Sequence, residues 1–291
     1  MQQTELSGIL LMDKPQGFTS HDVVAKLRGI LHTRKIGHGG TGVLPVFIGG
    51  ATKAADFAAA QDKEYVAGFT LGYCTDTQDV TGEIVQTGDR IAAEYAVKRA
   101  VRGFVGPQQQ IPPMYSAVKV NGQKLYDLAR KGREVERPAR DIIVHEMELL
   151  DFDENAQKGT LRCVVSKGTY VRTLCHDLGQ MLGCGACMSS LRRTKAGMFT
   201  LSQAITLPQI LEFAKENDPQ ELLMPVDALF SQYPPLIVEL GQAEKLRHGA
   251  QIKDWHFAPG TYRVYSITGE FLLLGKVENT ILTTIKSFFE V

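Results

Sequence analysis

Short apolar runs, each closed by a glycine or proline turn and followed by residues at helical spacing, restrict this chain to mixed architectures. Ser7 to Met12 is an apolar strand candidate ended by the turn Asp13-Lys14-Pro15-Gln16-Gly17. Ser20 then reads as an N-cap, with Asp22 in the first turn complementing the helix dipole. Val23, Val24, Leu27, Ile30 and Leu31 follow at helical spacing and predict one buried face. Val43 to Ile48 is apolar, and a second helix is expected from near Thr52 to Ala60. Glu64 to Leu71 reads as a strand, and Thr75 to Asp79 as a polar loop. Val118 to Val120, Asn121-Gly122 and Gln123 onward read as strand, tight turn and helix, because Asn-Gly is a strong turn signal. Leu161 to Ser166 is a further strand, Lys167-Gly168 a turn, and Thr169 the N-cap of a helix ending near Gly183. Strands and helices mixed in this order indicate an α/β or α+β main domain, residues 1–233. Beyond Tyr233-Pro234-Pro235 come two β-like runs, Tyr262 to Ser266 and Phe271 to Gly275, joined by Thr268-Gly269. They predict a small β-rich domain over residues 234–291.

Composition excludes several classes. No apolar run approaches the roughly 18 residues of a membrane helix, and the first residues lack the basic head and apolar stretch of a signal peptide. A cytoplasmic protein is expected. Five cysteines are an odd and sparse set, which argues against a disulfide framework. Cys184-Gly-Ala-Cys187 has metal-ligand spacing but no second pair to complete a tetrahedral site, and reads as two incidental buried thiols. Asp76 and Asp79 lack the ligand count and the glycine of a calcium loop. No metal is expected. Formal net charge is zero, yet Arg162 to Lys195 holds six basic residues against one acid, Asp177, while Glu212 to Asp227 holds five acids against Lys215. Segregation of this kind predicts one anion-facing surface and one acidic back.

Four segments carry chemistry. In Ser166-Lys-Gly-Thr-Tyr-Val-Arg-Thr-Leu174, Arg172 falls in the first turn of a helix, where a cation opposes the dipole. Either an anion sits opposite or the arginine is solvated at a frayed end. Tyr170 beside it is a core residue or a platform for a base. Tyr65 lies in a strand whose alternate residues are apolar, and pattern alone favours a core or edge tyrosine. His38, between glycines, has an accessible imidazole, although a lone loop histidine is more often structural. Ile111-Pro-Pro-Met-Tyr-Ser-Ala-Val-Lys119, followed by Lys124, Tyr126, Arg130 and Lys131, either tracks an RNA backbone or is a proline-shaped surface connection.

The order of the motifs says more than any one of them. Asp13-Lys-Pro-Gln-Gly17, Lys35-Ile-Gly-His-Gly-Gly40, Gly42-Val-Leu-Pro45, Gly50-Ala-Thr-Lys53, Lys63-Glu-Tyr65, Thr75-Asp-Thr77, Ile111 to Lys119, Ser166 to Arg172 and Leu191-Arg-Arg-Thr194 closely resemble the bacterial tRNA pseudouridine synthase B (TruB) family. The resemblance runs from about Gly8 to Arg193 and more weakly through Leu246-Arg-His-Gly249. It implies the pseudouridine synthase fold, a mixed and largely antiparallel sheet flanked by helices, with a PUA-like RNA-binding C-terminal domain. It implies a monomer that binds the T-loop of tRNA and isomerises a uridine there to pseudouridine without metal or organic cofactor. The target base is flipped out of the stack. An aspartate attacks as nucleophile, the glycosidic bond breaks, and C5 rejoins the ribose. Carried over, His38 packs at the flipped nucleotide, Tyr65 stacks on the uracil and assists removal of the C5 proton, Tyr170 and Leu191 line the pocket, and Arg172 pairs with the aspartate. Lys14, Lys53 and Lys119 join the substrate-binding set.

The resemblance breaks at one place. The aspartate belongs to a Gly-Thr-Leu-Asp-Pro stretch expected directly after His38-Gly39-Gly40, but Thr41 is joined straight to Gly42. About six residues are gone, up to ~20 Å of extended chain. No carboxylate lies between Arg34 and Lys53. A covalent reaction without its nucleophile is abolished rather than slowed, and Arg172 is expected to lose its partner and to keep affinity for phosphate. Cys187 stands where the family usually has histidine, a matter of packing. Three functions follow: an active synthase if another acid reaches the pocket, a tRNA-binding protein without isomerase chemistry that aids tRNA folding, or an ordinary synthase from which the stretch has been removed. The chain favours the second and third.

Overall fold

Thr19, not Ser20, caps the first helix. Its hydroxyl accepts the Asp22 N–H at 3.1 Å while the Asp22 carboxylate accepts the Thr19 N–H at 2.7 Å. This reciprocal pair needs an acceptor three residues along from the cap, which Thr19 has and Ser20, facing Val23, does not. The computed structural model describes residues 6–31, 36–38, 42–120, 122–253 and 257–289.

Along the chain come β1 (Gly8–Asp13), α1 (Ser20–Ile30), β2 (Ile36–His38) and β3 (Val43–Ile48). The helix predicted from Thr52 is a 3₁₀ turn, Gly49–Ala54, running into α2 (Ala55–Ala59). Next are β4 (Lys63–Leu71), β5 (Tyr73–Thr75), β6 (Ile84–Thr87), α3 (Glu94–Arg102) and β7 (Gly106–Gln110). Strand β8 (Lys119–Val120) pairs antiparallel with β9 (Gln123–Lys124), ahead of α4 (Leu125–Ala129), and Asn121 of the predicted Asn-Gly turn lies outside the described residues. Then follow β10 (Arg140–Asp153), β11 (Lys158–Val165), α5 (Val171–Leu182), β12 (Ala186–Ala196), β13 (Phe199–Thr200) and α6 (Leu207–Glu216). The chain ends with β14 (Pro235–Val238), α7 (Leu240–Arg247), β15 (Gly260–Ser266), β16 (Phe271–Glu278) and β17 (Ile281–Ser287).

Residues 41–43 and 60–201 form one unit. Its sheet has the order β13-β12-β4-β11-β10-β7, and every neighbouring pair is antiparallel. This is the mixed α+β, largely antiparallel architecture that the resemblance implies. Strand β11 alternates buried and half-buried residues, so Leu161, Cys163 and Val165 join Ala67, Phe69 and Leu71 of β4 on one face. That face is covered by Val97 and Val101 of α3 and by Leu174, Leu178 and Leu182 of α5. On the other face Arg162 bridges Glu64 at 2.6 Å and Glu146 at 2.7 Å.

Residues 1–40, 44–59 and 202–291 form the second unit. Its N-terminal sheet has the order β1-β3-β2, with Leu10, Met12, Val46 and Ile48 packed on Val23 and Leu27 of α1. Its C-terminal sheet has the order β14-β15-β16-β17 around Val264, Leu272, Leu273 and Leu282. Phe230 meets Phe57 edge-on and Phe271 and Phe288 at a tilt, with centroid distances of 5.2, 6.3 and 5.4 Å. Tyr265 donates to Asp227 at 2.5 Å, tying β15 to the 3₁₀ turn Val226–Phe230.

Two predictions follow from the packing. A Cβ on Gly179 in α5 would lie 2.1 Å from the Ala186 nitrogen and 2.3 Å from the Gly185 carbonyl carbon, where nothing can yield. Gly179→Ala therefore destabilises by about 3 kcal/mol despite the better helix propensity of alanine, read as a lower urea midpoint. For Tyr265, burial and the Asp227 carboxylate push the phenol up to about 12 from an ordinary 10. A pKa raised on folding stabilises fully below the unfolded value, so this contribution is intact below pH 10 and lost as pH climbs through about 12. Tyr265→Phe lowers stability at neutral pH by about 1–3 kcal/mol and flattens that alkaline loss, as thermal melts across pH will show.

Candidate active site

Tyr65 is held by its neighbours on both sides. It lies third in β4, opposite Cys163 of β11 and Arg193 of β12, and its half-buried ring packs on the core beneath α5. Leu191 sits opposite Ala67 and packs on the same core. Burial pushes the Tyr65 phenol above its ordinary range, opposed by the charge and hydrogen bond of Arg193.

The start of α5 is fixed by a residue far away in sequence. Tyr170, not Thr169, is the cap position, and it makes no side-chain cap of its own. Gln110, 4% exposed at the end of β7, accepts the Tyr170 N–H at 2.8 Å and donates to its carbonyl at 3.1 Å. Thr169 instead turns back and donates to the Ser166 carbonyl at 2.9 Å. Local hydroxyl capping loses here to a cross-sheet amide that serves both backbone groups of one residue.

Arg172, in the first turn of α5, has partners. Its Nη1 donates to Asp79 Oδ2 and to the Thr77 carbonyl, each at 3.4 Å, and its Nη2 donates to the Tyr115 carbonyl. The expectation of an unpartnered arginine is therefore corrected: a carboxylate 93 residues away offsets the unfavourable helix end. Asp79 is itself held firmly. Its Oδ1 accepts from Thr77 Oγ1 at 2.9 Å, from the Thr81 N–H at 3.1 Å and from Thr81 Oγ1 at 2.5 Å. Tyr115 adds a bond from its hydroxyl to Asp76 at 3.1 Å. The 75–83 loop and the proline segment thus converge on one guanidinium.

The remaining predicted residues lie on other elements. His38 is the last residue of β2, opposite Val46, and its side chain falls outside the described residues, as do residues 39–41. Lys14 is 8% exposed and donates to the Pro15 and Phe18 carbonyls, so it braces its own turn. Lys53 donates to the Phe289 carbonyl at 3.0 Å. Lys119 is exposed and lines a cleft of about 520 Å³ with Lys124, Arg130 and Lys131. There the Tyr126 ring carries Lys124 at 5.3 Å and Arg130 at 5.5 Å. The basic run from Arg162 is not one anion-facing surface: Arg162 is bridged by two glutamates, Arg172 is paired with Asp79, and Arg193 is buried. Cys184 and Cys187 are buried free thiols, and burial pushes both upward. Among the described residues, no three His, Cys, Asp or Glu side chains are grouped to hold a metal ion.

Residues 28–171 match the TruB family pseudouridylate synthase N-terminal domain, and residues 172–231 match the tRNA pseudouridylate synthase B C-terminal domain. The chain belongs to the TruB family of tRNA pseudouridine synthases. It is 43% identical over 261 residues to the tRNA pseudouridine synthase B of Bacillus thuringiensis (strain Al Hakam), covering 86% of this chain and 85% of that relative. The synthase of Geobacillus thermodenitrificans (strain NG80-2) is 43% identical over 260 residues, covering 85% and 86%. Among solved structures, a chain in the crystal structure of a Cbf5-Nop10-Gar1 complex superposes with a TM-score of 0.72 at 27% identity, over 97% of this chain and 85% of that one. A chain of an H/ACA RNP bound to a substrate RNA containing 2′-deoxyuridine gives a TM-score of 0.71 at 25% identity, over 97% and 85%.

Sequence reading missed Asp79, Gln110 and Arg193 as members of this site. The Thr77-x-Asp79-x-Thr81 spacing signals a turn, but nothing local connects Asp79 with Arg172. Asp79→Ala removes acceptors from Thr77, Thr81 and Arg172 together, so it lowers the urea unfolding stability by about 2–4 kcal/mol, whereas Asp76→Ala costs less.

Proposed function

We propose that this chain binds the T-loop arm of tRNA in a pseudouridine-synthase pocket and holds the target uridine without isomerising it. The observation that carries this reading is the state of the carboxylates. The stretch between Arg34 and Lys53 contains none, and the acid beside Arg172 is Asp79, whose Oδ1 is already occupied by three donors. A nucleophile must present a free lone pair to the sugar. Asp79 is built as a turn brace and a counter-ion.

In this reading Tyr65 and Tyr170 offer faces for stacking on a base, Leu191 lines the pocket, and His38 packs at the flipped nucleotide. Lys119, with Lys124, Arg130 and Lys131, runs along the phosphates, which the exposed basic cleft and its Tyr126 ring support. Lys14 and Lys53 contribute through the backbone they brace. Residues 234–291 act as a PUA-like RNA-binding module on a monomer, and the protein works in the cytoplasm, where tRNA is. One observation favours a second reading: Asp79 lies 3.4 Å from Arg172, so an active synthase would have to use it.

Isomerisation replaces the C5–H bond of uridine with the glycosidic bond, so a tRNA transcript tritiated at C5 reports turnover as released tritium. The expected outcome is no release above buffer, together with binding of a T-arm hairpin at least about tenfold tighter than random RNA at moderate salt. Tritium release that disappears in Asp79→Asn would establish the second reading instead.

A further inference from the structure

Arg193 is a buried cation in the middle of the site that neither the resemblance nor the proposed function uses. It is 4% exposed on β12, directly across from Tyr65 in the strand register. Its Nε donates to the Val43 carbonyl at 2.8 Å and its Nη2 donates to the same oxygen. The cross-strand pairing sets the Arg193 side chain beside Tyr65 on the same face of the sheet, where its charge acts on the phenol. The backbone beside it is equally close. A Cβ on Gly42 would stand 2.4 Å from the Arg193 carbonyl oxygen and 2.5 Å from its nitrogen, and Gly42 has φ +75°. Gly42 and Val43 are the first described residues after the point where the nucleophile stretch is missing. The end of the shortened loop is therefore seated on Arg193 by its backbone and by its carbonyl.

We propose that Arg193 is a positioning residue of the uridine pocket, one guanidinium holding both the far end of the shortened loop and the phenol of Tyr65. The inference rests on the reading of Tyr65 as the residue that stacks on the base. A single planar fork is needed because two acceptors in different directions must be served from one buried point; lysine offers a compact charge without that fixed geometry. The orientation of Tyr65 is thereby supplied from β12 and not from the loop, so it survives loss of the nucleophile stretch. The same contact opposes what burial does to the phenol. Burial alone drives Tyr65 upward, and the neighbouring cation brings it back down.

The test titrates Tyr65 in the full chain without RNA. Uniform 3-fluorotyrosine brings phenol ionisation into a range where the protein stays folded, and Tyr65→Phe identifies the Tyr65 signal in the fluorine spectrum. Arg193→Met is expected to raise the Tyr65 ionisation midpoint by about one pH unit, with Arg193→Lys recovering part of it and the other tyrosines unmoved. A cooperatively folded Arg193→Met with an unchanged Tyr65 midpoint overturns the proposal. Should Arg193→Met not fold, the pair is read from the other side in ¹⁵N-arginine protein. Tyr65→Phe should shift the Arg193 Nε–H resonance and speed its exchange, and an unmoved resonance overturns the proposal equally. With T-arm hairpin RNA, a folded Arg193 variant should bind roughly tenfold more weakly than the unaltered chain. Absence of hairpin binding by the unaltered chain would sink the T-loop reading alone, since the titration is decided without RNA.

Discussion

Strand β4 is hydrogen-bonded along both edges, to β11 on one side and β12 on the other, and Tyr65, Leu191 and Arg193 take their places from that double pairing. A strand with two partners cannot slip by one residue without sending its whole buried set to the opposite face. Ala67, Phe69 and Leu71 commit one face of β4 to the helices, and Tyr65 shares their parity. Glu64 then falls on the other face, where Arg162 and Thr194 take it up at 2.6 and 2.7 Å. The register also puts Arg193 beside Tyr65. Neither residue needs a loop to find the other.

Four distant groups do for the start of α5 what no local residue does. A helix beginning with Val171-Arg172 has no hydroxyl cap and carries a cation at its positive end, which are two unfavourable choices at once. Gln110 answers the first from β7, and Asp79 with the Thr77 and Tyr115 carbonyls answers the second. Such compensation costs freedom in the partners: the 75–83 loop and the proline segment are both held to the guanidinium. The site is stiff because a locally poor helix start was made good by distant groups.

The strand and helix pattern was legible wherever one physical rule acted locally. The apolar spacing of Val23, Val24 and Leu27, the alternation in β11 and the order of the family motifs all identified what the structure contains. The errors fall where two local signals competed. Ser20 and Thr169 are good cap residues by type, but Asp22 completes a reciprocal pair only with Thr19, and Gln110 reaches Tyr170 from 60 residues away. Counting charges along Arg162 to Lys195 failed for a related reason. In a strand, neighbours point to opposite faces, so adjacent arginines share no surface: Arg192 is exposed while Arg193 is 4% exposed. Pairings such as Arg172 with Asp79 have no sequence signal, because a fold and not a spacing brings them together.

On the reading proposed above, what the scaffold retains without a loop carboxylate depends on where its other contacts are anchored. If the stacking tyrosine were oriented by the nucleophile loop, removing that loop would disable binding and chemistry together. On the proposal above the orientation comes from β12, through a guanidinium whose desolvation is offset by its bonds to the Val43 carbonyl. The close seat of Gly42 on the Arg193 backbone fixes where the chain enters β3. On the proposed reading base binding is carried by strands and bond breaking by a loop, so that a change confined to the loop acts on the second alone.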